Sequence, residues 1–201
     1  MMRIILLILL CLALPLAVAA NTIDASNSGG TLTGSASGLS LSGSTLSAFG
    51  VTQGSNLGSV SFTTGALLSG SLTGGNMTFA GGGSFTITGN GVNGVPNGVI
   101  FSGTFSGPVT VIENLGPTNG TFSYTITGSL SGTLYTGFKT QATTSQTTVF
   151  TVRGPLNNGG STKVASGDTV IVTPVPEPGT MLLLGTGLAA IAGTVRRKLG
   201  R

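Results

Sequence analysis

The clearest alternation in the chain is Thr121-Phe122-Ser123-Tyr124-Thr125-Ile126-Thr127, in which every second side chain is large and apolar. The same pattern occurs at residues 84–88 (SFTIT) and 59–63 (SVSFT). Side chains of an extended strand point alternately to opposite faces of a sheet, so each stretch has one apolar face and one hydroxyl face. Thr suits the outer face because it is both β-branched and polar. The spacing therefore predicts β-strands, and no segment of the middle of the chain has the spacing of an amphipathic helix.

Further short strands are predicted on both sides of these stretches. They cover Gly98–Phe105, Val109–Val111, Ser129–Thr136, Val149–Arg153 and Thr169–Thr173. Many short strands separated by Gly-rich turns are typical of an antiparallel sandwich or barrel. We predict an all-β domain over residues 21–173, an antiparallel β-sandwich by preference, with a β-solenoid as the alternative. Residues 27–58 are rich in Ser and Gly, and we expect them to be partly disordered or an edge extension.

The composition excludes several classes of enzyme. The chain has 35 Gly, 22 Ser and 31 Thr, while charged residues make up only 6% of it. It has no His and no Trp, and its one Cys lies in the first apolar run. A His-containing catalytic triad, an ordinary zinc site and a thiol nucleophile in the mature chain are therefore excluded.

The first twenty residues have the three parts of a secretory signal peptide. Met1-Met2-Arg3 is a short positive start, residues 4–16 are almost all Leu and Ile, and Ala17-Val18-Ala19-Ala20 supplies small residues for signal peptidase. We predict cleavage after Ala19 or Ala20. The mature protein then contains no Cys, so disulfides are excluded even in an oxidising compartment.

Residues 174–201 also have three parts. A Pro-rich stretch over 174–179 precedes the uncharged run 180–195, and Arg-Arg-Lys-Leu-Gly-Arg ends the chain at 196–201. Pro fixes the backbone and restricts the residue before it, so the first part stays extended and accessible. At 1.5 Å per residue the apolar run spans roughly 24 Å, which predicts a short transmembrane helix. The basic cluster predicts a cytoplasmic C-terminus, with residues 21–173 outside the cytoplasmic membrane.

This order of parts resembles the PEP-CTERM sorting signal of exported proteins in Gram-negative bacteria that make extracellular polymeric substance. The matching residues are Val175, Pro176, Glu177, Pro178, Gly179 and Thr180, the run Leu182–Gly185, and the basic stop Arg196, Arg197 and Lys198. The resemblance implies that exosortase, a membrane transpeptidase-like protease, recognises Pro176-Glu177-Pro178. It implies no function for residues 21–173.

Two features of the middle of the chain mimic chemical sites. Residues 89–94 (GNGVNG) have the spacing of a dinucleotide-binding loop, but a turn follows them where that site needs a helix, so we predict a hairpin loop. The three carboxylates are Asp24, expected in a flexible segment, Glu113 at the end of a strand, and Asp168 in a Gly-Asp turn. A glycosidase needs two carboxylates that face one cleft. We predict no catalytic, cofactor-binding or metal-binding residue.

The charge pattern and the aromatic content limit the function. Three acidic and three basic residues lie between Asn21 and Thr173, so the basic excess is confined to the two ends and gives no reason to expect a nucleic-acid partner. We predict an exported, non-catalytic β-protein of the cell surface or extracellular matrix, with extracellular polysaccharide as its expected partner. A carbohydrate-binding or adhesive module is the alternative, although Tyr124 alternates in phase with Phe122 and Ile126, which indicates a place in the core. A secreted hydrolase is the second alternative.

Overall fold

The computed structural model describes residues 21–115, 120–152 and 154–173, together with Gly187. The described part contains an eleven-stranded sheet and a short 3₁₀ turn at Asn157–Gly159. The strands are β1 (Asn21–Ser35), β2 (Gly38–Phe49), β3 (Thr52–Thr63), β4 (Leu67–Ser69), β5 (Met77–Phe79), β6 (Gly82–Asn90), β7 (Asn97–Phe105), β8 (Val109–Leu115), β9 (Phe122–Leu134), β10 (Lys139–Phe150) and β11 (Ser161–Thr173). Within these residues no helix is long and apolar enough to cross a membrane. The predicted signal peptide and, except for Gly187, the predicted transmembrane helix lie outside the described residues.

Eight of the strands form a closed antiparallel barrel. Their order around the ring is β10-β11-β1-β2-β3-β6-β7-β9, and β9 also pairs with β10. That last pairing runs in unbroken register from Lys139 opposite Thr133 to Phe150 opposite Phe122. The all-β class is thus confirmed, but the sheet closes on itself where the sequence analysis preferred a sandwich or, as the alternative, a solenoid. Closure satisfies the backbone donors and acceptors of both edges, which an uncharged open sheet would leave exposed.

The remaining three strands branch from the barrel at β9. One edge of β9 pairs with β7 near its C-terminal end, where Leu134 lies opposite Phe101. The same edge pairs with β8 near its N-terminal end, where Thr127 lies opposite Thr110. Strand β5 then pairs with β8, and β4 with β5. The result is a small side sheet that continues outward from the barrel wall.

Aromatic side chains fill much of the barrel interior. Phe62 and Phe85 stack with ring centroids 6.0 Å apart, and the edge of Phe105 packs against both rings. A Cβ atom at Gly128 of β9 would lie 2.7 Å from the Phe105 ring, so glycine at this position makes room for the aromatic side chain. The interior is therefore a close-packed core in which a small residue faces a large one.

A second aromatic group lies where β9 meets β10. Tyr124 is fully buried, and its ring centroid lies 4.6 Å from that of Phe150, which in turn stacks on Phe122. The prediction that Tyr124 belongs to the core is confirmed.

One sector of the interior is polar. Asn27 of β1 and Gln146 of β10 are both buried and form a reciprocal amide pair, with N–O distances of 2.9 and 3.1 Å. The second N–H of Asn27 donates to Ser44 Oγ at 2.7 Å, and that of Gln146 donates to Thr144 Oγ1 at 3.0 Å. A Cβ atom at Gly167 would overlap both amide oxygens. All four amide N–H groups are satisfied, so burial of this cluster carries little penalty.

This polar sector explains why most of β10 was not predicted. Its buried positions carry Thr140, Ala142, Thr144, Gln146 and Thr148, which leaves no apolar alternation before Phe150. The apolar pattern of this region predicts a strand only at Val149–Arg153, whereas β10 runs from Lys139 to Phe150.

The expectation of partial disorder over residues 27–58 was wrong. These residues form most of β1, all of β2 and half of β3. Leu32, Leu41 and Leu46 are buried there, but the pairing of the strands shifts register at bulges between Leu41 and Ser44 and between Leu46 and Ala48. The first places one extra residue in β2, and the second places three extra residues in β3 between Gln53 and Gly58. Both interrupt the period of two, which conceals the strands in the sequence.

Two further expectations concern turns. The hairpin loop predicted at residues 89–94 is confirmed, because β6 and β7 pair on either side of it and Gly91, Asn93 and Gly94 have positive φ angles. Asp168 lies in the middle of β11, which corrects the predicted Gly-Asp turn. Asp24 lies in β1, which corrects its expected place in a flexible segment.

Both ends of the described chain lie at one end of the barrel, which we call the terminal pole. The Gly50 amide donates to Asp24 O, which places the start of β1 beside the β2–β3 turn. Val172 of β11 lies opposite Gln141, near the start of β10. Because the ring is antiparallel, the turns at residues 50–51, 91–96 and 135–138 share this pole with the first residues of β1 and the last of β11.

We predict that the buried amide pair couples β1 to β10 energetically. In Asn27→Leu the shape is kept but Gln146 loses its partner inside the core, so the free energy of unfolding should fall by about 1–3 kcal/mol. The double variant Asn27→Leu/Gln146→Met should lose clearly less than the sum of the two single changes, as measured by denaturant unfolding. Thr110→Val, which removes an exposed hydroxyl pair with Thr127, is the control and should cost less than about 1 kcal/mol. Additive losses at Asn27 and Gln146 would contradict the coupling.

Candidate functional site

A continuous surface of hydroxyl groups covers the outside of the barrel over β8, β9, β10, β11 and β1. We call it the hydroxyl face; its members are Ser26, Thr110, Thr125, Thr127, Ser129, Thr143, Ser145, Thr147, Ser166 and the carboxylate Asp168. It exists because β9 places Ser or Thr at every outward position from Ser123 to Thr133, and the neighbouring strands add Ser or Thr at outward positions beside these. Strands about 4.8 Å apart, with outward residues about 6.8 Å apart along each strand, arrange these hydroxyl groups in a regular lattice.

One row of the hydroxyl face crosses five strands. Thr110 lies opposite Thr127, with their hydroxyl oxygens 2.7 Å apart, and Thr127 lies opposite Ser145. Ser145 in turn lies opposite Asp168, whose Oδ1 is 3.5 Å from the Ser26 hydroxyl. The register of the strands thus places one carboxylate in the middle of a line of neutral hydroxyl groups.

Two shallow depressions flank this carboxylate. One of about 400 Å³ lies towards β8 and β9, and another of about 380 Å³ lies towards β1 and β2. Ser145 and Asp168 line both. Ser and Thr hydroxyl groups both donate and accept hydrogen bonds, whereas an ionised carboxylate only accepts. The arrangement can bind a ligand rich in hydroxyl groups.

The three carboxylates of the barrel do not converge. Glu113 of β8 accepts a hydrogen bond from the Gly75 amide, so it is engaged with the loop between β4 and β5. Asp168 is separated from it by β9 and β10 and by about three residues along the strands, which together amount to roughly 18 Å. Asp24 is exposed on β1. A pair of glycosidase carboxylates lies about 5–10 Å apart, so Glu113 and Asp168 do not form one.

No metal centre is formed by the described residues, among which His, Cys, Asp and Glu nowhere gather in groups of three.

An aromatic turn at the terminal pole is a feature that the sequence analysis missed. Tyr135 and Phe138 belong to the β9–β10 turn and are both about half exposed. Tyr135 falls inside the strand predicted over Ser129–Thr136, and Phe138 directly precedes β10, whose buried positions are mostly polar. Nothing in their spacing separates an exposed aromatic residue from a core one.

The predicted processing residues lie outside the described residues. They are the signal-cleavage residues Ala19 and Ala20, the motif residues Val175, Pro176, Glu177 and Pro178, and the basic stop Arg196, Arg197 and Lys198. Their roles stay predictions. The described barrel begins at Asn21, directly after Ala20, and ends at Thr173, one residue before Val175.

The C-terminal segment carries a PEP-CTERM protein-sorting motif, matched over residues 174–198. The resemblance found in the sequence is thereby confirmed. The motif indicates an exported protein that an exosortase system sorts to the cell envelope. No curated protein and no solved structure matches the chain significantly.

Proposed function

We propose that this chain is an exported, non-catalytic barrel protein that acts at the cell surface or in the extracellular matrix in association with polysaccharide. The sorting motif carries the proposal, because it begins at residue 174, directly after β11 ends at Thr173. The barrel is therefore the part of the chain that exosortase processing would release. Glu177, in the rigid frame of two Pro residues, is the charge that the protease would recognise.

The absence of a catalytic role is supported by the chemistry of the barrel surface. Asp168 is the one carboxylate of the hydroxyl face, and its nearest neighbours are hydroxyl groups. Glu113 lies on β8, away from Asp168, and accepts a hydrogen bond from the Gly75 amide of the β4–β5 loop. A hydrolase would need a second acid or base beside Asp168.

The hydroxyl face supports a polysaccharide partner. It combines donors and acceptors at regular spacing with a carboxylate that accepts hydrogen bonds from sugar hydroxyl groups. None of its members is Lys or Arg, so it favours a neutral polysaccharide over an anionic one. The two depressions beside Ser145 give such a chain a place to lie.

A dedicated carbohydrate-binding or adhesive module is the second candidate, and the depressions on either side of Asp168 favour it. It differs from the leading proposal in strength and selectivity of binding. A secreted hydrolase stays the third candidate, which sugar release by the purified protein would reveal.

We predict that Glu177→Ala keeps the protein in the membrane uncleaved, because recognition is lost while the apolar run is unchanged. Immunoblotting of membrane and medium fractions, in a strain that carries the cognate exosortase, measures this. Asp24→Ala removes a carboxylate from the exposed surface of β1 and is the matched control, which should be released normally. Release of Glu177→Ala at the normal rate would show that the C-terminal segment is a plain anchor.

Changing Arg196, Arg197 and Lys198 to Ser should have a different effect. These residues are predicted to stop the apolar run at the cytoplasmic side. Their loss should let unprocessed precursor escape from the membrane into the medium. Comparison with Glu177→Ala in the same fractions then separates recognition by exosortase from retention in the membrane.

We predict that Ser145→Arg weakens binding to neutral extracellular polysaccharide by roughly tenfold, which corresponds to about 1.4 kcal/mol. The long side chain would fill both depressions and pair with Asp168. Ser102→Arg adds the same charge to an exposed position of β7, away from the hydroxyl face, and should bind as the unchanged protein does. Affinity electrophoresis in polysaccharide gels compares the three proteins. Equal mobility of all three would remove the hydroxyl face as the binding surface.

A further inference from the structure

The terminal pole exposes a group of large apolar side chains. They are Val51, Val92, Val99, Tyr135, Phe138 and Val172. Each lies in one of the turns of this pole or in the strand residues next to them. Among the described residues, Tyr135 and Phe138 are the exposed aromatic side chains; the other Phe and Tyr residues are buried or partly buried.

The turn that carries the two aromatic residues is held by its backbone. The Leu134 amide donates to Phe138 O at 3.0 Å, and the Gly137 amide donates to Leu134 O at 2.8 Å. The Tyr135 amide donates to Ile100 O at 2.7 Å, which ties the turn to β7 beside Val99. The aromatic residues are therefore displayed on a defined turn and not on a loose loop.

This turn lies next to the point where the chain leaves the barrel. Val172 is opposite Gln141, so the end of β11 runs beside the residues that follow Phe138. Only residues 174–179 separate Thr173 from the apolar run 180–195. The seven steps from Thr173 to residue 180 span at most about 25 Å, so a bilayer that holds the apolar run lies within that distance of the terminal pole.

Two charged side chains of the described residues lie at this pole, Lys139 of β10 and Asp24 of β1, and Lys139 is the one beside the aromatic turn. Lys139 is exposed and follows Phe138 directly. Tyr is enriched at membrane–water interfaces, an apolar Phe ring can bury at the boundary between headgroups and acyl chains, and Lys is attracted to anionic lipid headgroups. The opposite end of the barrel also exposes apolar side chains, Leu115, Val149 and Val152, but no aromatic one among the described residues. Its carboxylate Glu113 is engaged with the Gly75 amide.

We propose that the terminal pole contacts the outer surface of the phospholipid bilayer while the precursor is held there, with Tyr135 and Phe138 in the interfacial region. The inference rests on the proposed function, since it takes residues 180–195 as the membrane anchor. It adds a second contact, made by the barrel itself. Contact at this pole leaves the side walls of the barrel, and with them the hydroxyl face, turned away from the lipid.

The absence of Trp from the chain makes a direct test available. Phe138→Trp gives the full-length protein a single reporter in the turn. Val149→Trp is the matched control, because Val149 has the same exposed fraction as Phe138, 53%, and lies at the other end of β10, roughly 35 Å away. Tyr135→Trp is a second reporter in case the first variant folds poorly.

The full-length variants are reconstituted with vesicles of zwitterionic and anionic phospholipid, with and without brominated acyl chains. The proposal expects flotation of all variants with the vesicles, and bromine quenching of Phe138→Trp and Tyr135→Trp by roughly twofold. Val149→Trp should be quenched little. Flotation with equally weak quenching at both ends would overturn the contact and leave the anchor intact. A failure to float would overturn both the anchor and the contact.

Two other partners of the terminal pole, a soluble polysaccharide and a second copy of the chain, would change the Trp emission in different ways in the same experiment. A response of Phe138→Trp emission to soluble neutral polysaccharide, with none to lipid, would assign the aromatic turn to sugar binding and overturn the proposal. A response to protein concentration without lipid would assign it to a second copy of the chain, which also overturns it.

Discussion

The pairing of β9 with β10 closes the ring and thereby fixes which side chains face the interior and which face water. It is unbroken from Lys139 opposite Thr133 to Phe150 opposite Phe122. Once the ring is closed, every strand has an interior face that must be filled and an outer face in water. The interior is filled by aromatic side chains on one side and by the Asn27–Gln146 amide pair on another. The outer face is left free for Ser and Thr, with little need of charge to block open edges.

The sequence predicted the strands whose buried residues are apolar and missed those whose buried residues are not. Alternation identified β6, β7 and the start of β9, but β10 carries Thr144 and Gln146 inward and has no apolar period. The Gly-Asp pair at residues 167–168 predicts a turn, but Gly167 lies in a strand, where its missing side chain makes room for the amide pair. Barrel closure could not be predicted, because the alternation of one buried face is the same in a sandwich and in a barrel.

The candidate sites also differ in whether the sequence alone could predict them. The sorting motif at residues 174–198 was predictable because it is a local pattern in the chain. The hydroxyl face was not, because it arises from the register of five strands that brings Thr127, Ser145 and Asp168 into one row. The exposed aromatic turn was missed because Tyr135 and Phe138 adjoin strands whose other aromatic residues are buried. Position in the fold, and not residue type, separates these from core residues.

Intact mass spectrometry of the protein recovered outside the cells tests most directly whether the barrel is the sorted product. The mass should correspond to a chain that begins at Ala20 or Asn21 and ends within residues 174–179, with the apolar run and the basic cluster removed. Recovery of an extracellular form that still contains residues 180–201 would contradict release by processing at the sorting motif.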